Sequence, residues 1–107
     1  MRKIETAMNT AIRNRINWSN GNTAVIVDSK NADLVEVFLH GNLIAKVCSE
    51  FVAIFDGGWQ SNTTKSRLNA LLDEFSNGMR VFQKNWEWFV SDRLTGKVVP
   101  FVSGMTV

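Results

Sequence analysis

Apolar side chains recur at helical spacing in two stretches of the chain. In residues 3–16 the repeating positions are Ile4, Ala7, Met8, Ala11, Ile12 and Ile16. In the second stretch they are Leu68, Leu71, Leu72 and Phe75, at the spacing i, i+3, i+4 and i+7. A stripe with this period buries one side of a helix, so both stretches are predicted to be amphipathic helices. Thr63 or Thr64 is expected to cap the second helix, and Ser76-Asn77-Gly78 is expected to end it.

Short runs rich in β-branched and aromatic residues predict the strands. Four such runs lie between the helices, at residues 23–27, 34–40, 43–47 and 51–55. Gly41-Asn42 separates the second run from the third and predicts a tight hairpin there. A long run at 79–90 and a shorter one at 97–102 follow the second helix. Pro100 cannot donate a hydrogen bond to a neighbouring strand, so the last strand is placed at a sheet edge.

The order of these elements is α-β-β-β-β-α-β-β, and their connections are short. Short connections favour an antiparallel meander. The pattern therefore predicts an α+β fold in a single domain, residues 1–107. We expect an antiparallel sheet of about five to six strands with two helices on one face.

Composition narrows the classes of protein. Of the 107 residues, 45% are hydrophobic and 21% are charged, which is the balance of an ordinary globular domain. No apolar run approaches the length of a membrane span or the core of a secretory signal, so we expect a cytoplasmic protein without a membrane partner. Cys48 and His40 are the only residues of their types. With no thiolate cluster and only scattered acids, we expect no metal, no cofactor and no catalytic residues.

The most distinctive stretch runs from Asp56 through Gly57-Gly58-Trp59 into the second predicted helix. As a binding site, it would offer Trp59 for stacking on a base and Lys65 and Arg67 for phosphate, near the N–H groups of a helix start. As a structural corner, its glycines would make the turn, and Trp59 would fill the core. The polar residues predicted to face outward form a candidate surface patch: Gln60, Ser61, Asn62, Lys65 and Asn69.

Two further groups of residues have both a binding and a structural interpretation. In one continuous strand over residues 79–90, alternation would place Phe82, Lys84, Trp86, Trp88 and Val90 on one face. That face would either form an aromatic platform for single-stranded nucleic acid, with Lys84 on phosphate, or pack under the helices. Arg13 and Arg15 on the first helix would either contact a nucleic-acid backbone or remain solvated.

Several strings of sequence resemble those of a known family. They are LHGNLIA at residues 39–45, FDGGWQSNTTKSRLNA at 55–70, VFQKNWEWFV at 81–90 and VPFVSGMTV at 99–107. In this order they resemble a family of small uncharacterised proteins of tailed bacteriophages, over nearly the whole chain. The resemblance implies a small accessory or host-directed protein acting in the cytoplasm of an infected bacterium, and it brings no catalytic residues.

We therefore expect a small non-catalytic binding protein of phage type. Nucleic acid is the first candidate partner, contacted by Trp59, Lys65, Arg67, Lys84, Arg13 and Arg15. The alternative is an inhibitor or adaptor that binds a host protein through an exposed aromatic residue or an edge strand. A homodimer through the Pro100 strand is a third expectation.

Overall fold

Two helices and nine short strands are found in residues 2–107, the part of the chain that the computed structural model describes. The α+β prediction is confirmed. The helices are α1 (Lys3–Asn14) and α2 (Asn62–Phe75). The strands before α2 are β1 (Trp18–Asn20), β2 (Thr23–Val27), β3 (Val35–Leu39), β4 (Asn42–Val47) and β5 (Val52–Ile54). The strands after it are β6 (Met79–Lys84), β7 (Glu87–Asp92), β8 (Val98–Pro100) and β9 (Met105–Thr106).

The strands form two antiparallel sheets. The first has the order β1-β2-β3-β4-β5-β9, and the second has the order β6-β7-β8. The predicted meander is β2 to β5, and two short strands that the pattern did not indicate, β1 and β9, extend its edges. β9 returns from the end of the chain to pair with β5, with Ile54 opposite Met105. Because β5 and β9 are far apart in the sequence, no local sequence pattern predicts that they pair.

The hairpin between β3 and β4 turns one residue earlier than predicted. His40 and Gly41 both have positive φ, 51° and 78°, while Asn42 already belongs to β4. A two-residue hairpin whose central residues both have positive φ matches the twist of the strands it joins. Glycine adopts this backbone readily, and His40 adopts it as the first residue of the turn.

The prediction of one continuous strand over residues 79–90 is wrong. Asn85 and Trp86 have positive φ, 53° and 67°, and form the turn of a hairpin between β6 and β7. Val81 pairs with Val90, and Gln83 pairs with Trp88. Alternation therefore restarts after the turn, and the predicted face of five residues does not exist.

Helix α2 closes one edge of the second sheet. The Asn69 amide donates to the carbonyl of Val81 at 2.9 Å and accepts from the N–H of Val81 at 2.8 Å. These two bonds occupy the backbone groups that a neighbouring strand would otherwise bind. At the other edge β8 has β7 as its one neighbour within residues 2–107, so the prediction that Pro100 lies in an edge strand is confirmed.

Ser61, and not Thr63 or Thr64, caps α2. Ser61 has the extended backbone typical of a capping residue, and its hydroxyl accepts from the N–H of Thr64 at 3.1 Å. At the end of α1 the backbone of Arg15 is left-handed, with φ 55°. The helix therefore stops before Ile16, whose side chain is 54% exposed and does not continue the predicted apolar stripe.

The core lies between the two helices and the two sheets. Its fully buried side chains come from α1, α2, the first sheet and the inner face of the second sheet. The largest are Met8, Ile12, Ile44, Ile54, Leu68, Leu71 and Leu72. Trp88 is also buried and meets Phe101 edge to face, with ring centroids 5.3 Å apart.

A buried ion pair joins the helices. Glu5 of α1 and Arg67 of α2 are each 3% exposed, and their charged groups are 2.8 Å apart. The Ser66 hydroxyl also donates to the Glu5 carboxylate at 2.6 Å. The Nε–H of Arg67 donates to the hydroxyl of Thr23 on β2 at 3.0 Å. Both charges are thus paired and hydrogen-bonded, which is the condition for burying them without a large loss of stability.

The environment of Glu5 favours its charged form. Burial by itself raises the pKa of the carboxyl, but hydrogen bonds from Ser66 and Arg67 and the positive charge of Arg67 act in the opposite direction. The net result is a pKa below the ordinary value of 4.5.

No helix among residues 2–107 is both long and apolar enough to cross a membrane.

Replacing Arg67 by methionine should lower the free energy of unfolding by about 3 kcal/mol, because it leaves the Glu5 charge buried without its partner. Urea denaturation followed by circular dichroism measures the change. Arg13→Met is the matched control, since Arg13 forms an exposed pair with Glu74. Exposed pairs contribute little, so the control should lose much less stability. Equal losses in the two variants would contradict the importance of the buried pair.

Acid should weaken the fold through Glu5. Because folding lowers the pKa of Glu5, its contribution is present above the unfolded value of 4.5 and is lost as the pH falls through the lower folded value. Glu5→Gln should be less stable than the parent at neutral pH and lose stability less steeply below about pH 5. Urea titrations over the acid range measure both slopes. Parallel slopes would contradict this account.

Candidate nucleic-acid interface

One face of the second sheet points away from the hydrophobic core formed by residues 2–107. Val81, Trp88 and Val90 point into the core, so the alternate positions of β6 and β7 point away from it. We call these alternate positions the outer face. It comprises Arg80, Phe82 and Lys84 on β6, and Glu87, Phe89 and Ser91 on β7.

Phe82 and Phe89 form an aromatic pair at the centre of the outer face. They are directly opposite each other in the register, with ring centroids 5.6 Å apart and ring planes 26° apart. Both are half-buried, and neither is part of the hydrophobic core or of the apolar side chains packed against it. A stacked pair outside the core is held by the strands and keeps part of its surface in contact with solvent.

Two cations flank this aromatic pair on the same face. Arg80 and Lys84 lie two residues before and two residues after Phe82, and both side chains are exposed. Neither forms an ion pair within residues 2–107. Glu87 is opposite Lys84 in the register and is the acid nearest to it in the ladder. Arginine, phenylalanine and lysine thus alternate along one exposed strand.

Trp86 is a further exposed aromatic residue of the second sheet. It is 90% exposed at the tip of the β6–β7 hairpin. It borders a cleft of about 450 Å³ with Lys65, Gln83 and Asn85. The ammonium group of Lys65 donates to Gln83 at 3.3 Å and lies 6.0 Å from the Trp88 ring centroid. Lys65 therefore contacts the side of the hairpin that faces α2, on the other side of the sheet from Lys84.

Trp59 lies on the loop before α2 and is 79% exposed. The interpretation in which it fills the core is wrong. It lines a cleft of about 450 Å³ together with His40 and Asn42 of the β3–β4 hairpin and the first turn of α2. No lysine or arginine lines this cleft. The carboxylate of Asp56 accepts from the N–H of Gly58 at 2.8 Å and so stabilises the turn that precedes Trp59.

The predicted polar patch is divided in the structure. Gln60 and Asn62 are exposed, as expected. Ser61 is half-buried, because its hydroxyl caps α2. Asn69 is also half-buried, because its amide binds the backbone of β6, so the expectation that it faces outward is wrong. The sequence alone could not predict that Asn69 is half-buried, because its partner Val81 lies in β6, beyond the end of the helix.

The three predicted arginines all have acidic partners. Arg67 is buried against Glu5, so the prediction that it contacts phosphate from the surface is wrong in this structure. Arg13 binds Glu74 through two hydrogen bonds of 2.9 and 3.0 Å, and Glu74 raises the pKa of Arg13.

Arg15 lies 3.2 Å from Asp33. Hydrogen bonds from the Ser49 backbone and hydroxyl lower the pKa of Asp33, with a smaller contribution from Arg15. Asp33 thereby connects the end of α1 to the turn between β4 and β5. Of the predicted cations, Lys65 and Lys84 are the two that form no ion pair within residues 2–107.

Arg80 and Phe89 were missed by the sequence analysis as candidate site residues. Treating residues 79–90 as one strand placed Phe89 on the opposite face from Phe82. The same alternation put Arg80 on the face of Phe82, but Arg80 was not named among the candidates. The signal that could have corrected this is Asn85, a residue type typical of hairpin turns, in the middle of the run. A turn there makes the two phenylalanines cross-strand partners.

Comparison with known proteins places the chain in a family. The model of the family described as Kyanoviridae Gp96 protein matches residues 1–107. Searches of curated proteins and of solved structures gave no match. The predicted resemblance to a tailed-phage family is confirmed over the whole sequence. The chain therefore belongs to the Kyanoviridae Gp96 family of tailed-cyanophage proteins.

Proposed function

We propose that this phage protein is a non-catalytic accessory protein that binds single-stranded nucleic acid on the outer face of β6–β7. The observation that carries the proposal is the Phe82–Phe89 pair, which lies outside the core between two cations without ion-pair partners. Sheets that bind single strands use this combination, in which aromatic rings stack on unpaired bases and neighbouring cations contact phosphates.

Each residue of the outer face has a role in this proposal. Phe82 and Phe89 supply a stacking surface for bases, and Trp86, exposed at the hairpin tip, offers a further ring beside Lys65. Arg80 and Lys84 contact the phosphate groups on either side. The outer face is formed by two strands and borders a cleft of about 260 Å³ at Lys84, Glu87 and Phe89, so we expect its rings to bind bases that are already unstacked.

We assign the stacking role to this face rather than to Trp59. The cleft beside Trp59 is lined by no lysine or arginine, and the Arg67 expected to assist it is buried. Phosphate contacts provide most of the affinity for a single strand, so an aromatic residue without nearby cations is the weaker candidate. Lys65 lines the cleft beside Trp86 and would support binding there.

A labelled single-stranded oligonucleotide, as DNA and as RNA, tests the proposal by fluorescence anisotropy at rising salt concentration. We expect binding that weakens steeply with salt, because phosphate contacts release counterions. Phe89→Leu should weaken binding about tenfold, since one base loses its aromatic partner. Lys84→Gln should reduce the slope of log K against log salt by about 0.7, the value for one single-strand phosphate contact.

Lys30→Gln is the matched control, because Lys30 is an exposed lysine in the turn between β2 and β3. It should leave affinity and salt slope unchanged. Absence of binding to both oligonucleotides at low salt would contradict the proposal. Equal effects of Lys84→Gln and Lys30→Gln would show that any binding is diffuse attraction and does not occur on the outer face.

A protein-directed inhibitor or adaptor is the second candidate, and the open edge of β8 favours it. Val98 in this strand is 51% exposed, and β8 has no second neighbour within residues 2–107. An extended segment of a host protein, or β8 of a second copy, would add a strand there. Such binding would depend little on salt where the contact is mainly apolar, which separates it from nucleic-acid binding.

A further inference from the structure

A second cleft lies at the opposite end of α2 from Trp86. It has a volume of about 510 Å³ and is formed where α2 ends between the two sheets. The β4–β5 turn forms one wall, and the start of β6 and the loop after β7 form the others. No part of the proposed nucleic-acid surface borders this cleft.

The floor and rim of the cleft carry apolar side chains that the fold leaves accessible. Phe51 is 38% exposed and Leu94 is 76% exposed. Phe75 and Met79 are half-buried between them and pack on the core from below. The cleft thus offers an apolar surface on which a side chain of another molecule can pack.

The charge of the cleft is opposite to that of the whole chain. Glu50, Glu74 and Asp92 line it, and no lysine or arginine does, although the net charge of the protein is +2. Glu74 is bound by Arg13 from outside the cleft. Glu50 and Asp92 form no ion pair within residues 2–107, and Glu50 is exposed.

The end of α2 adds to this negative potential. A helix carries partial negative charge at its C-terminal end and is normally balanced there by lysine or arginine. The last turn of α2 has no basic residue and carries Asp73 and Glu74 instead. Arg93 and Arg13 compensate these two acids from other elements, and Phe75 and Ser76 at the end of the helix line the cleft.

We propose that this cleft binds a segment of another protein that carries a lysine or arginine next to a bulky apolar side chain. The apolar side chain occupies the space over Phe75 and Met79. The cation lies between Glu50, Asp92 and the end of α2. Complementary charge determines which partner an interface accepts. An acidic or purely apolar segment does not complement the acids of this cleft, so we expect it to bind more weakly.

Cys48 provides a reporter for this test, because it is the single cysteine of the chain and lines the cleft. The rate of its reaction with a chromogenic disulfide reagent measures access to the cleft. Two short peptides serve as probes, one alternating leucine with lysine and the other alternating leucine with glutamate. We expect the lysine peptide at saturating concentration to slow the reaction, and the glutamate peptide to leave the rate unchanged.

The variants separate the role of charge from that of shape. Glu50→Lys should lower the affinity for the lysine peptide about fivefold, because an attraction between exposed charges is replaced by a repulsion. Glu50→Asp keeps the charge and should retain protection of Cys48. Far-UV circular dichroism checks that both variants keep the fold. A single-stranded oligonucleotide should leave the rate unchanged, because its proposed surface is elsewhere.

The proposal would be overturned by any of three results. The first is no protection of Cys48 by the lysine peptide. The second is equal protection by the glutamate peptide or by the oligonucleotide, which would remove the dependence on positive charge. The third is an unchanged half-protecting concentration of the lysine peptide in Glu50→Lys.

Discussion

The buried ion pair between Glu5 and Arg67 is the constraint on which the rest of the fold depends. It joins α1 to α2, and Arg67 also binds the Thr23 hydroxyl of β2. A buried charge without its partner is strongly unfavourable, so the pair holds α2 in one position against the first sheet. Asn69 on the same helix then closes the edge of β6. The position of the second sheet, and the exposure of its outer face, therefore follow from how α2 is held.

Helix α2 also separates two surfaces of opposite character. Near its N-terminal end, the β6–β7 hairpin projects Trp86 and carries Phe82, Phe89 and two cations on its outer face. At its C-terminal end lies a cleft lined by three acids and no base. This division is consistent with a small accessory protein that contacts two kinds of partner at once, since the two surfaces do not overlap.

The local features of the fold were predictable from the sequence, and the contacts between distant segments were not. Helix α2 follows from the spacing of Leu68, Leu71, Leu72 and Phe75, and β8 is an edge strand because of Pro100. Arg67 looked like a surface cation, because its partner Glu5 lies 62 positions away. The pairing of β9 with β5 is equally non-local. At the candidate site, Lys84 and Trp86 were recognised, but the hairpin at Asn85 was not, so the pairing of Phe82 with Phe89 became visible only in the structure.

The most direct test of the central claim is an NMR titration of the ¹⁵N-labelled protein with a single-stranded oligonucleotide. The four tryptophans give separate indole N–H signals, and the structure places them in different surroundings. We expect the indole signal of Trp86 and the amide signals of β6 and β7 to shift together as oligonucleotide is added. The signals of Trp18 and Trp59 should stay in place. Shifts at Trp59 with none at Trp86, or no shift at either, would contradict the assignment of the outer face as the nucleic-acid interface.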